Sequence, residues 1–397
     1  MEPIKLKENI YCLSSIDWNI RDFHGYSTYL GTTYNAYLII DDKITLIDTV
    51  KKGFEDDLLS GISKIIDPKK IDYVISNHTE MDHSGGLPRI MHKIGQDKPV
   101  FCSQMGLKNL KKHFYVGLNL KPVNSGEELS IGSKTIKFLE TRMLHWPDSM
   151  VSYLMQDEIL FSSDAFGQHY ASMERFDDQV GDLIMPHAKK YFANILLPYS
   201  PLILKLVETV QSLKLSFKMI CPDHGIIWRK EPTKIINAYV EWAKQEPKRK
   251  AVVVYDTMWH STEMMAEAIS EGIWEEGVEV MPFHLRVSHR SDIITELLDS
   301  KALVVGSPTL NNGLFPTVAD FLTYAKGLRP QNKIGASFGS YGWSGEAANL
   351  IAKELEAMKI KLIREPLKIQ YVPDQEGINS CKEFGKAIGQ GVKEGTG

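Results

Sequence analysis

Short apolar runs rich in β-branched and aromatic residues mark the first part of the chain, and each closes on a polar loop: TYNAYLIID, KITLID, IDYVIS, TIKFLE and EILFSS. Runs of this length between polar clusters predict β-strands. Helical patterns lie between them, as before HKIGQDKPVF. Near residues 240–255 the pattern changes, because VEWAKQEPKRKAVVVYDTMWHST passes from helical periodicity through a charged, proline-containing break at Glu246 to Lys250 into a new β-branched run. Such a break predicts a domain boundary. Beyond it, β runs alternate regularly with helices: AVVVY, a helix from Ser261, VEVMPFH, a helix from Ser291, ALVVGS, a helix near Thr317 to Lys326, KIGASFG, a helix from Gly345, and KIKLIREP. That alternation predicts a parallel, doubly wound sheet. The expected architecture is α/β in two domains, residues 1–248 and 249–397, without internal repeats.

Length agrees, since 397 residues exceed what one hydrophobic core organises. Apolar residues at 43%, charged residues at 24% and a net charge of −4 describe a globular chain without the basic excess of a nucleic-acid binder. The start, MEPIKLKENIYCLSSIDWN, lacks a basic segment followed by an apolar one, and no run reaches the roughly 18 apolar residues of a membrane span. The expected setting is the cytoplasm, with neither membrane nor nucleic acid as partner. Cys12, Cys102, Cys221 and Cys381 lie far apart with no CxxC pair, which argues against a disulfide framework, a zinc knuckle or an in-chain rubredoxin-type iron site. They are expected to be buried thiols.

Candidate chemistry concentrates in NHTEMDHSGG, where His78, Glu80, Asp82 and His83 fall within six positions directly after the strand run IDYVIS. Three more candidates follow apolar runs in the same way: His145 after TIKFLETRML, Asp164 after ILFSS and His224 after FKMICPD. Loops at neighbouring strand ends converge on one rim, so the pattern predicts a metal centre. The spacing resembles the metallo-β-lactamase superfamily, H-x-H-x-D-H with a distant His, Asp and His, except that Glu80 replaces the second histidine. A carboxylate there hardens the site and adds negative charge, which favours iron over zinc. With Asp164 as a bridge, three carboxylates and one hydroxide neutralise two ferrous ions.

The second domain opens with the strand AVVVYD, the loop TMWHST and a helix. Thr257, Ser261 and Thr262, with main-chain N–H groups at the helix start, form an anion cradle without the lysine of a nucleoside triphosphate loop. Neither GxxxxGK[ST] nor GxGxxG follows the strand, which leaves a flavodoxin-like mononucleotide site. Later strand ends supply Thr309, Asn311, Asn312 and Gly313, and then Ser340 to Gly345. Trp259, Tyr341 and Trp343 are the aromatics available to pack near an isoalloxazine.

The H-x-E-x-D-H pattern, with MLHWPDSM, SSDAFGQ, DWNIRDFHGY and GTTYNAYLI, resembles the flavodiiron proteins, also called A-type flavoproteins or rubredoxin:oxygen oxidoreductases, along essentially the whole chain. The resemblance implies a metallo-β-lactamase-like αββα domain followed by a flavodoxin-like one. It implies a non-haem diiron centre with His78, Glu80 and His145 on one iron, Asp82, His83 and His224 on the other, and Asp164 as the bridge. In some members the position matching His83 is not coordinated. His24 in RDFHGY is expected near the pocket or in a structural role. The family's FMN loops match TMWHST, SPTLNNG and GSYGWSGE, which adds Met258, His260, Ser307, Pro308, Gly342, Ser344 and Gly345 to the candidates.

Two cofactors then imply a reaction. A diferrous pair and a reduced flavin hold the four electrons that turn O2 into water, and the diferrous pair alone holds the two that couple NO to N2O. Tyr191 and Phe192 stand where some relatives carry two tyrosines, and the missing hydroxyl leans the expectation to O2. The resemblance further implies a rubredoxin or similar small external donor, since the chain stops at Gly397 without a domain of that kind, and a head-to-tail homodimer or dimer of dimers. Two rivals are a zinc-dependent hydrolase fused to a flavodoxin, against which Glu80 speaks, and an electron carrier with a degenerate first domain, against which the full ligand set speaks.

Overall fold

The computed structural model describes residues 2–115 and 117–396, which fall into two compact units. The first comprises the chain up to His24, Thr28–Tyr191 and Pro201–Val240; the second comprises Gly25–Ser27, Phe192–Ser200 and everything from Glu241 onward. Two upstream segments thus pack with the second unit, tied by polar side chains: Ser27 Oγ lies 2.9 Å from Ser291 Oγ, and Asn194 Nδ2 donates to the Ser291 carbonyl at 3.0 Å. Apolar periodicity carries no trace of such long-range pairs.

In the first unit the strands form two mixed sheets. One runs in the order Ile4–Lys7, Ile10–Asp17, Thr32–Ile39, Thr45–Ile47, Tyr73–Ser76, Pro99–Ser103, Asn119–Val123; the other runs Glu128–Ser130, Thr135–Glu140, Met150–Leu154, Ile159–Ser163, Met219–Pro222. Thr32–Ile39 is buried along its whole length, and its alternate side chains feed two cores. Tyr37 and Ile39 join Phe138, Leu154 and Phe161 between the sheets, while Ala36 and Leu38 join Leu58, Ile62, Ile90 and Met91 of the helices outside. Burial on both faces explains why this strand reads as a continuous apolar run. Truncating a fully buried ring such as Phe138 would cost about 3–5 kcal/mol.

In the second unit the strands are all parallel, in the order Glu279–His284, Lys248–Tyr255, Ser300–Gly306, Ile334–Tyr341, Lys361–Leu362, with Leu367–Gln370 also on Ile334–Tyr341. The last predicted β run, KIKLIREP, is a strand only at Lys361–Leu362, and a further strand that the sequence reading did not name, Leu367–Gln370, begins after Pro366, which has no N–H to give a ladder. The order places a topological switch at Lys248–Tyr255, the position where such sheets take ligands at their carboxyl ends. Helices Ser261–Glu275 and Gln375–Glu394 pack so closely that a Cβ on Gly272 would lie 2.1 Å from the Lys382 carbonyl oxygen. Only glycine fits there.

All four cysteines are buried and free. Among the described residues no helix is long and apolar enough to cross a membrane.

Candidate functional site

Strand ends place the seven metal candidates. Asp48, at positive φ just past Thr45–Ile47, accepts from the Asn77 N–H and from Asn77 Nδ2, both at 2.7 Å, and Ser152 Oγ donates to Asn77 Oδ1 at 2.7 Å. This clamp fixes the exit of the strand Tyr73–Ser76 and so the backbone that carries His78. Glu80 is extended, and a helical turn at Met81–Ser84 begins after it, which lifts Asp82 and His83 back over the same rim. Asp164 follows Ile159–Ser163 and His224 follows Met219–Pro222.

The side chains converge in two groups. His78, Glu80, His145 and Asp164 each offer one atom, all within 4.8 Å of one another, and Asp82, His83 and His224 do the same. Asp164 reaches both groups. Its Oδ2 lies 3.2 Å from His145 Nε2 and 3.5 Å from His78 Nε2, and its Oδ1 lies 3.0 Å from His83 Nε2 and 3.5 Å from His224 Nε2. The imidazoles present Nε2 inward because acceptors stand behind them: Asp148 Oδ2 at 3.1 Å from His78 Nδ1 and the Thr33 carbonyl at 2.6 Å from His224 Nδ1.

In the metal-free chain these groups hold one another charged. Burial lowers the proton affinity of His78, yet hydrogen bonds to Asp148 and Glu80 and the charge of Asp164 raise its pKa to about 9. Burial is likewise outweighed at His145, where Asp164 and Glu80 raise it to about 10. Burial pushes Glu80 and Asp82 up, but the histidines facing them bring both down to about 2. The donor set suits divalent cations: four imidazole nitrogens and three carboxylates, one of whose buried oxygens, Asp82 Oδ1, has no hydrogen-bond partner among the described residues.

Sequence reasoning named Tyr191, Phe192 and His24 but did not weigh Asp148, His169 or Phe23. Asp148 backs His78, and the HWPD motif that holds it gave the signal. His169 packs on His224 with ring centroids 5.0 Å apart and bonds Thr32 Oγ1 through Nδ1 at 2.8 Å; burial, then the His224 charge, keeps it far below the usual histidine range. Tyr191 donates its hydroxyl to Asp164 Oδ1 at 2.8 Å, while Phe192 packs on Trp242. His24, largely exposed, puts Nε2 3.1 Å from Glu80 Oε1, and Phe23 lies beside His169.

In the second unit the loops named from sequence surround a cavity of about 400 Å³. Met258, Trp259, Ser261, Pro308, Thr309, Asn311, Asn312, Ser340, Tyr341, Gly342, Trp343 and Ser344 line it, with Leu310 and Tyr371, which the sequence did not single out. Thr257, His260, Thr262, Ser307, Gly313 and Gly345 stand outside the lining; Thr262 Oγ1 is 2.8 Å from Ser340 Oγ, and Ser307 Oγ accepts from the Phe315 N–H at 3.0 Å. Asp256, fully buried, ties the loop base by accepting from the Thr257 N–H at 2.6 Å and from Arg286 Nε at 3.0 Å. Two features suit a phosphorylated, flat ligand. The helix Ser261–Glu275 starts without a side-chain cap, and the buried Thr257 Oγ1 has no hydrogen-bond partner among the described residues. Trp259 and Trp343 remain 86% and 85% exposed beside the cavity.

Comparison with known proteins gives two family matches, an ODP family beta lactamase over residues 32–225 and a flavodoxin over residues 253–385. A nitric oxide reductase of Moorella thermoacetica is 48% identical over 392 residues, 98% of each chain. The solved rubredoxin oxygen:oxidoreductase of Desulfovibrio gigas superposes with a TM-score of 0.97 at 44% identity, covering 99% of each chain. The flavodiiron protein of Giardia intestinalis superposes at 0.94 with 32% identity, over 100% of this chain and 98% of that one.

Proposed function

The chain belongs to the flavodiiron proteins and is an oxidoreductase with a metallo-β-lactamase-like domain and a flavodoxin domain, and from that premise we propose that it reduces dioxygen to water, and nitric oxide to nitrous oxide, at two irons fed by FMN. The observation that carries the reading is Asp164, whose two oxygens face two separate ligand groups. In this reading His78, Glu80 and His145 hold one iron, Asp82, His83 and His224 the other, and Asp164 spans them. The iron pair supplies, when bound, Lewis acidity and two electrons next to the gas.

The chain's own residues set the surroundings. Outer acceptors lock His78 and His224 with Nε2 free to ligate. Tyr191, by donating to Asp164 Oδ1, keeps that oxygen oriented and partly neutralised. His24 bridges Glu80 to solvent and offers a proton route, since both reactions consume protons. In the second unit Thr257, Ser261 and the uncapped helix start would hold the FMN phosphate, and Trp259 and Trp343 would flank the ring. A rubredoxin-like carrier is the proposed donor, a head-to-tail homodimer would cover the exposed tryptophans, and the cytoplasm is the proposed compartment.

The deciding experiment is stopped-flow oxidation of the fully reduced, iron- and FMN-loaded chain by O2 and by NO in parallel. Rapid oxidation by at least one gas, with water or N2O as product, is expected. Failure with both, in protein holding two irons and one FMN, would defeat the reading.

A further inference from the structure

Each metal group has its own carboxylate and two imidazoles, and each meets one oxygen of Asp164. Matched in their donors, the groups differ in what stands behind the rings. His78 Nδ1 donates to Asp148 Oδ2 at 3.1 Å, and this buried carboxylate also accepts from the Thr79 N–H and Thr79 Oγ1, both at 2.8 Å, and from Asn109 Nδ2 at 3.1 Å on Oδ1. Four donors aimed at one carboxylate, three of them on Oδ2, favour its ionised form. Behind the other group, His224 Nδ1 meets neutral partners, the Thr33 carbonyl at 2.6 Å and the Thr32 hydroxyl at 3.4 Å. His83 Nδ1 lies 3.3 Å from Asp223 Oδ2 and has no hydrogen-bond partner among the described residues.

An anion on the outer nitrogen of an imidazole makes the inner nitrogen more basic and a stronger ligand. Resting on the diiron reading above, we propose that Asp148 is a positioning residue that makes the two metal positions unequal, so that the ion at His78, Glu80 and His145 is held the more tightly. The HWPD loop thus serves one position twice, with His145 as donor and Asp148 as the anion behind His78.

The test uses the full chain, loaded anaerobically with ferrous iron, as wild type, Asp148→Asn and Thr79→Val, each followed by chelator titration and Mössbauer spectroscopy. Wild type should hold two irons that leave at different chelator concentrations and give two distinguishable doublets; a chain that takes up no iron would overturn the diiron reading itself. Asp148→Asn keeps the shape and removes the charge, and should weaken retention of one iron by about 10- to 100-fold while shifting only one doublet. Thr79→Val removes a donor that competes for the same oxygen of Asp148, so His78 gains and that iron should be held more tightly. Loosened packing would weaken retention in both variants. Two irons leaving the wild type together, an Asp148→Asn chain indistinguishable from it, or a Thr79→Val chain that weakens alongside Asp148→Asn would each overturn the inference. If Asp148→Asn does not fold, the direction of the Thr79→Val shift decides alone.

Discussion

At the candidate metal centre the convergent groups are side chains, most of them buried and each held by another side chain or a carbonyl; at the cavity of the second unit the walls are loop segments, with two tryptophans 86% and 85% exposed. Charge therefore organises the first region, and backbone conformation organises the second. A region built on paired buried charges fails when one partner is lost, because the rest are left uncompensated. A region built on loops and N–H groups loses affinity by degrees, since no single side chain carries it. The sharpest attempt to break this contrast is Asp164→Ala. Removing the one carboxylate that reaches both groups should drop iron content from two per chain to near zero and abolish reductase activity, while FMN stays bound. Iron assay and flavin absorbance check both halves, and a variant retaining two irons would refute the bridging role.

Acidity separates the regions next. In the iron-free chain His78 and His145 titrate near 9 and 10, above the ~6.5 of an unfolded histidine. Their contribution to stability is therefore full below about pH 6.5 and lost as pH rises through 9 to 10. Glu80 and Asp82 titrate near 2, so their contribution is present above the unfolded carboxylate value of about 4 and lost only as pH falls through 2. The iron-free Tm should fall by several degrees between about pH 6.5 and 10, whereas iron affinity should rise over the same range because binding displaces the imidazole protons. Thermal scans with and without iron check the sign, and an iron-free Tm that climbs with pH would show that the cluster is not charged as described.

The same contrast explains what the sequence disclosed. His78, Glu80, Asp82 and His83 lie within six positions and His145, Asp164 and His224 follow strand-like runs, so their identity announces a site even before a fold is drawn. Backbone loops announce themselves only through Gly, Ser, Thr and Asn, which is why Tyr371, reaching the cavity from a later turn, stayed hidden. The alternating pattern of the second domain was legible because its central strands, Lys248–Tyr255, Ser300–Gly306 and Ile334–Tyr341, are buried on both faces for most of their length. The outer residues were not. Asp48, Asp148 and His169 act through contacts between segments tens of residues apart, and no local periodicity records them. Ser27 and Asn194 join the second unit for the same reason.

Thr257 tests whether the flavin region contains even one decisive side chain. Its hydroxyl is buried without a partner among the described residues, so Thr257→Val should leave the FMN-free chain as stable as before, or slightly more so. With FMN present the same change removes a hydrogen bond to a charged phosphate, about 1.5–3 kcal/mol, or roughly 12- to 150-fold in Kd. Fluorescence titration of FMN measures the loss. An unchanged Kd would remove Thr257 from the cradle and leave the helix start and the main chain to hold the phosphate.

The smallest effect is expected at Trp343. Its ring is 85% exposed beside the cavity, so it contributes little to the fold, and Trp343→Ala should not move the Tm of the FMN-free chain. Stacking against a flavin is worth about 0.5–1.5 kcal/mol beyond simple burial, which predicts a loss of roughly 2- to 12-fold in FMN affinity. The change should sit in the off-rate, because the phosphate cradle that guides entry is intact. Should Trp343→Ala instead lower the FMN-free Tm, the ring packs on the protein rather than on the flavin, and the account of this region as loops awaiting a ligand would have to be given up. Trp259→Ala, on a different loop of the same cavity and 86% exposed, provides the control: if both rings flank one flavin and removal of one lets the isoalloxazine tilt away from the other, each single change already forfeits both contacts, so the double variant should lose less than the sum of the single changes.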